Sequence, residues 1–300
     1  KCVIPTGVQV QGFKFETSLD LEMHGYIWQT YPANCPKELR GFTVPEAGDG
    51  GFNRREIKRN NNTDGSEMVL YQFQTTQRQL FNYEHYPFDY QTLWLRLWSL
   101  DFDGSAVLVP DFKSYPKWID EQKIGIDPDA EIGGFALDFT RWSIFFPSTK
   151  TSFGQKTYDA PANRVGLYYN VGFHRLLVGP SVNHIVPIAV IILLTFAALM
   201  FVHTDENQAT AILTFIGALL FAAIFNHQGI RASVSAAGFT VVGLYSILSY
   251  TLLILVTINV ILIAKTDSKW FEKHDNIFSK ALFLPLTAWA LALVTHFSLL

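Results

Sequence analysis

Charge is what the second part of this sequence lacks. Residues 185–300 contain five acidic and five basic side chains, confined to Asp205, Glu206, Arg231 and the segment 265–280. Residues 1–184 hold the other 21 acids and 18 bases. A soluble helical domain needs a wet face on every helix, so this distribution excludes a soluble fold for 185–300 and fits a membrane domain. Cysteine is scarce as well, and no Cys/His cluster has metal-site spacing. Cys2 and Cys35 either pair, if residues 1–184 face an oxidising compartment, or remain separate buried thiols. A net charge of −3 leaves no basic footprint for nucleic acid.

What residues 1–184 do contain is period-two alternation. Leu19, Leu21 and Met23 alternate with Asp20 and Glu22, and Leu93, Leu95 and Leu97 alternate with Trp94, Arg96 and Trp98. Segments 68–73 and 164–173 read the same way. Gly-, Asn- and Pro-rich turns at 45–51, 59–65, 101–104 and 132–134 separate them. Asn61, with Thr63 two residues on, has the form of a glycosylation acceptor. No window sustains an apolar helical period beyond about three turns. Short strands between such turns predict an all-β sandwich or barrel, and the fold class expected is an immunoglobulin-like sandwich.

Residues 185–300 predict an α-helical bundle of four spans, at about 185–202, 207–226, 234–263 and 279–300, each near the roughly 20 residues that a bilayer core requires. An even number of crossings puts 1–184 and the C-terminus on one side. Lys265, Lys269, Lys273 and Lys280 favour the cytoplasm for 265–280, so 1–184 is expected to be periplasmic or extracellular. The second span is the unusual one. Asp205 and Glu206 introduce it, Gln208, Thr210 and Thr214 lie in its first turns, and Asn226, His227 and Gln228 follow its apolar centre. Identical subunits around an axis would repeat the two carboxylates as an acidic ring, and such rings select cations. One candidate pore-lining set is Asp205, Glu206, Gln208, Ala209, Leu213, Ile216, Leu220, Ala223 and His227, with Leu213, Ile216 and Leu220 able to close a pore by dewetting. A competing face is Gln208, Ile212, Phe215 and Leu219, and periodicity does not choose between them. An ordinary bundle helix capped by solvated acids remains the plain alternative.

The run Phe81, Asn82, Tyr83, Glu84, His85, Tyr86, Pro87, Phe88, Asp89, Tyr90, Gln91 resembles the signature of the pentameric ligand-gated ion channels, the Cys-loop receptor superfamily. Tyr86, Pro87, Phe88, Asp89 and Gln91 match its aromatic-Pro-Phe-Asp-x-Gln pattern. The alternating strand after it, Pro187 in the first span and the order of four spans extend the likeness over nearly the whole chain. The two cysteines that close the signature loop in animal receptors are absent and the link 265–280 is short, both as in the prokaryotic branch. The family's Trp-x-Pro signature is not evident before Met68.

The resemblance implies a homopentamer, one chain with four identical partners, in the plasma membrane, most naturally a bacterial inner membrane. It would pass cations and be gated by a small-molecule or ion agonist. It implies an agonist site between neighbouring subunits, with Trp98 and Phe102 after the signature strand, Phe153 and Tyr158 in the loop 151–163, and Tyr168 as aromatic walls. It also implies that Tyr86, Pro87, Phe88 and Asp89 press on the membrane domain, with Arg175 at the same junction and Asp89 and Arg175 as a candidate ion pair. Asp101, Asp103, Asp127, Asp129 and Glu131 form two acidic turns that are candidate ligands for a modulatory Ca2+, although turn acids are usually just solvated. No other cofactor is expected. No arrangement of nucleophile and base suggests an enzyme. The competing reading is a non-conducting membrane receptor or sensor whose β domain binds a ligand.

Overall fold

The computed structural model describes residues 1–101, 104–116, 123–146, 165–202, 206–234, 239–265 and 276–299, with backbone alone at 49, 50, 131, 206 and 299. The chain divides into two compact units. One comprises Lys1–Phe81 and Tyr90–Arg175, the other Asn82–Asp89 and Leu176–Leu300.

The first unit is all β. Its strands are β1 (Cys2–Phe15), β2 (Asp20–Tyr31), β3 (Phe42–Thr43), β4 (Ala47–Asn61), β5 (Glu67–Arg78), β6 (Tyr90–Ser99), β7 (Ala106–Pro110), β8 (Ile126–Ile132), β9 (Phe135–Phe145) and β10 (Gly166–Arg175). They form a six-stranded sheet in the order β4-β5-β2-β1-β7, with β8 also on β1, and a four-stranded sheet in the order β3-β6-β10-β9. A register shift in β1 between Val10 and Gly12 falls within the stretch of β1 that β8 lines, and a bulge of this kind bends a strand and curls its sheet. The sandwich expected from the alternation is therefore present.

Alternation decides which side chains fill it. Leu93, Leu95 and Leu97 point inward from β6 and are fully buried, as are Leu21, Met23 and Ile27 from β2 and Leu167, Val171 and Phe173 from β10. Each such side chain stabilises by about 1.5–3 kcal/mol relative to exposure. Polar side chains close the sandwich where strands end. The Gln79 side chain accepts from Trp94 N (3.1 Å) and donates to the Thr92 carbonyl (2.7 Å). In doing so it substitutes for a missing strand beside β6, and Gln77 donates to the Trp94 carbonyl next to it. Cys2 and Cys35 form a disulfide, which resolves the alternatives left by the sequence and places this unit in an oxidising, non-cytoplasmic compartment.

Among its described residues the second unit holds four helices long and apolar enough to span a membrane: α1 (Val178–Met200), α2 (Glu206–Ser233), α3 (Val241–Lys265) and α4 (Ile277–Leu299). A π turn at Ser181–Ile185 interrupts α1 just ahead of Pro187, where the proline ring would otherwise crowd the carbonyl four residues back. The chain is a membrane protein with a β domain outside the cytoplasm.

Candidate functional site

Residues 82–89 leave the β unit and pack with the helices. The segment is tightly folded, with Tyr86 N donating to the Tyr83 carbonyl (3.0 Å), Phe88 N to the His85 carbonyl (2.7 Å), and a cis peptide at Tyr86–Pro87. Tyr86 and Asp89 are buried, and Phe88 is exposed. Three helix ends converge on it. The Tyr86 ring lies 6.1 Å from the His184 ring of α1, its carbonyl accepts from Val242 N of α3 (3.4 Å), and His85 Nδ1 lies 2.7 Å from the Ser298 carbonyl of α4. A carbonyl only accepts, so His85 carries its proton on Nδ1 and satisfies one of the orphan carbonyls of a helix C-terminus. Of the five junction residues named from the resemblance, Tyr86, Pro87, Phe88 and Asp89 thus belong to the helical unit. Arg175 ends β10 in the β unit, its guanidinium 4.5 Å from the centre of the Phe135 ring.

The second helix shows which of its faces the chain itself covers. Ala209, Ile212, Ile216, Leu219, Ala223, Ile230 and Val234 are buried, and at about 100° per residue they form one stripe. Ala209, Ile216 and Ala223, named as pore-lining from the sequence, therefore pack inside the chain's own bundle, together with Ile212 and Leu219 of the competing face. Leu213 and His227 are half-buried, and Gln208, Phe215 and Leu220 are exposed. His227 Nδ1 sits 3.1 Å from the Tyr250 hydroxyl of α3, which donates to the Ala223 carbonyl (3.2 Å), so His227 is the donor of that pair. Opposite the buried stripe lie Asn207, Thr210, Thr214, Phe221, Phe225 and Gln228, all exposed. Asp205 and the side chain of Glu206 lie outside the described residues.

Trp98 and Tyr168, two of the predicted ligand walls, do come together, and the residue between them is one the sequence reading did not assign. β6 sends Trp94, Arg96 and Trp98 to the outer face of its sheet, and β10 adds Tyr168. The Arg96 guanidinium lies 4.8 Å from the Tyr168 ring centre, 5.0 Å from Trp94 and 5.8 Å from Trp98. An aromatic cage of cation–π geometry is thus filled by the chain's own cation. Arg96 Nη1 is held by Glu46 Oε1 at 2.7 Å. Glu46 Oε2 and Arg96 Nε are buried with no partner among the described residues. Burial pushes the Glu46 carboxyl above its ordinary range, and Arg96 partly offsets this. The alternation Trp94, Arg96, Trp98 was the available signal for the arginine. Glu46, in the turn before β4, gave none. Phe102, Phe153 and Tyr158 lie outside the described residues.

The acidic turns are engaged locally. Asp101 accepts from Ser105 N and Ala106 N, and Asp127 accepts from Asp129 N (3.1 Å) and Gln9 Nε2 (3.3 Å). Asp103 and the Glu131 side chain lie outside the described residues, among which no group of three His, Cys, Asp or Glu residues could hold a metal. No family model matches this chain, and no curated protein matches it.

Proposed function

We propose that this chain is one subunit of a homopentameric, cation-selective, ligand-gated channel of the plasma membrane, with 1–184 facing the periplasm or the exterior. The observation that carries the reading is the polar stripe of α2. Asn207, Thr210, Thr214 and Gln228 lie on the face that the chain's own helices leave uncovered. Thr214 returns its hydroxyl to the Thr210 carbonyl (3.0 Å), yet a polar stripe exposed on a membrane helix still suits protein or a water-filled path better than lipid. Further copies around an axis supply both. The lining is then Asn207, Thr210, Thr214, Phe221, Phe225 and Gln228, with Asp205 and Glu206 at the mouth as the cation-selecting ring. Phe221 and Phe225, one turn apart, form the apolar constriction that closes by dewetting. The junction segment 82–89, gripping three helix ends, is the part through which a ligand bound at the β domain would bias a closed–open equilibrium. Five-fold assembly rests on the family resemblance and on that exposed polar stripe.

A second reading has its own support. Ala211, Ala218 and Ala222 are also exposed on α2, and small residues let helices meet without a path between them, as in a non-conducting receptor. Current through planar bilayers separates the two. Under a cation gradient, wild type should conduct selectively. Asp205→Asn or Glu206→Gln should lower selectivity, and Phe225→Ala should leave the pore open without agonist. Surface-assembled protein that stays silent across candidate agonists, in wild type and in Phe225→Ala alike, would favour the non-conducting receptor.

A further inference from the structure

The six-stranded sheet has two open ends of opposite charge. At one end β4 pairs only with β5 among the described residues. It carries Arg54, Arg55, Lys58 and Arg59 against two acids, Asp49 and Glu56, and the four bases and Glu56 are exposed. Arg54 is partly committed to the Phe42 carbonyl, and Arg59 to Glu56 and Glu67. Arg55 and Lys58 have no ion-pair partner among the described residues. Between them a register shift sets out Ile57, 45% exposed. Charges and bulges guard an edge strand against pairing, but a solvated edge gains nothing from an apolar side chain in the middle of its charges. An apolar centre with a charged rim is the anatomy of an interface.

At the other end, β7 and β8 both lie along the outer side of β1. β8 contains Asp127, Asp129 and Glu131, no base, and Pro128, which removes one backbone donor from the edge. Asp129 is exposed and Asp127 half-buried. We infer that in the ring of identical copies, on which this inference rests, the β4 edge of one copy docks against the β8 edge of the next. The two ends belong to one sheet, so such a contact is head-to-tail and can close into a ring. A two-fold contact would set base on base.

The test uses the full-length chain in detergent, with ring and monomer populations read by native mass spectrometry at low and high ionic strength. Arg55→Glu with Lys58→Glu, and separately Asp127→Lys with Asp129→Lys, should each lower the ring-to-monomer ratio by roughly tenfold at low salt. High salt should shrink that effect. Combining all four reversals should restore most of the ring. The milder pair Arg55→Gln with Lys58→Gln should fall between and guards against a reversal that fails to fold. Unchanged ratios, or a combined variant no better than the worse parent, would overturn the docking while leaving the ring reading intact. Wild type that is monomeric throughout would overturn both. A ring governed by calcium and indifferent to salt would reassign the β8 acids as metal ligands and also overturn the docking.

Discussion

The two units of this protein solve burial in opposite ways. The β unit closes on itself, with Leu93, Leu95, Leu97, Leu167, Val171 and Phe173 fully buried between sheets and its strand ends stitched by Gln77 and Gln79. The helical unit does not. Only about a third of the apolar stretches of α1 and α3 is buried, and about a tenth of α4, leaving Leu282, Leu284, Leu286, Trp289 and Phe297 exposed. In water such a bundle would aggregate. In lipid it costs nothing, because acyl chains are as apolar as leucine. Stability of the β unit is therefore its own, whereas order in the helical unit depends on lipid and on a few polar ties.

The sharpest way to break that comparison is a matched truncation. Leu95→Ala should destabilise the β unit by about 2–5 kcal/mol through lost transfer energy and a cavity. Leu286→Ala, on the exposed face of α4, should change stability by less than about 0.5 kcal/mol. Thermal loss of near-ultraviolet ellipticity in lipid nanodiscs measures both, and equal effects would show that α4 is packed against protein. Cys2→Ser comes next. The disulfide closes a loop with a sequence separation of 33, so removing it should cost about 3–4 kcal/mol. The loss should be confined to the β unit, with the helical amides keeping their exchange protection.

A smaller effect should appear at the polar tie between the segment 82–89 and α4. His85→Ala removes the donor that satisfies the Ser298 carbonyl, a loss of about 1 kcal/mol. Hydrogen exchange of the last turn of α4 should accelerate roughly fivefold, while exchange in β6 and β10 stays as in wild type. Unaltered exchange at 295–298 would mean that lipid or Tyr245, whose hydroxyl meets Thr295 Oγ1 at 2.7 Å, holds that end alone.

The same contrast explains what the sequence could reveal. Strand alternation is dictated by a core that the strand itself helps to build, so Leu93 to Leu97 announce their inward face. The four spans are equally plain, because lipid selects against charge over about 20 residues. The facing of α2 was not legible. Leu213, Phe215, Ile216, Leu219, Leu220 and Phe221 surround the helix, and lipid accepts the residues that a core would accept. Only the positions of α1 and α3 show that Ala209, Ile216 and Ala223 are inside. The cage was half legible. Trp94, Arg96 and Trp98 share a face by period two, but Glu46 lies 50 residues before Arg96 in sequence, and no local pattern ties a turn acid to a strand cation. Cys2 and Cys35 posed the same difficulty, since spacing carries no geometry.

The Glu46–Arg96 pair yields the smallest prediction and the one that tests the self-filled cage most directly. Burial disfavours the ionised carboxylate, so the folded carboxyl titrates above its unfolded value. A carboxyl raised in this way costs stability above its folded pKa, and the cost is relieved as pH falls from the folded toward the unfolded value. The sign is thus opposite to that of exposed acids such as Asp20, whose folded value Arg78 lowers. Glu46→Gln removes the titration but keeps the size of the side chain. The stability of wild type relative to Glu46→Gln, followed from neutral pH downward, should therefore rise as pH falls through the folded carboxyl's range and level off below the unfolded one. A difference that is flat, or that falls with pH, would mean that Arg96 outweighs desolvation and that the pair is a net stabiliser. The cage would then be a structural clamp, with its cation too firmly held to be displaced by a ligand.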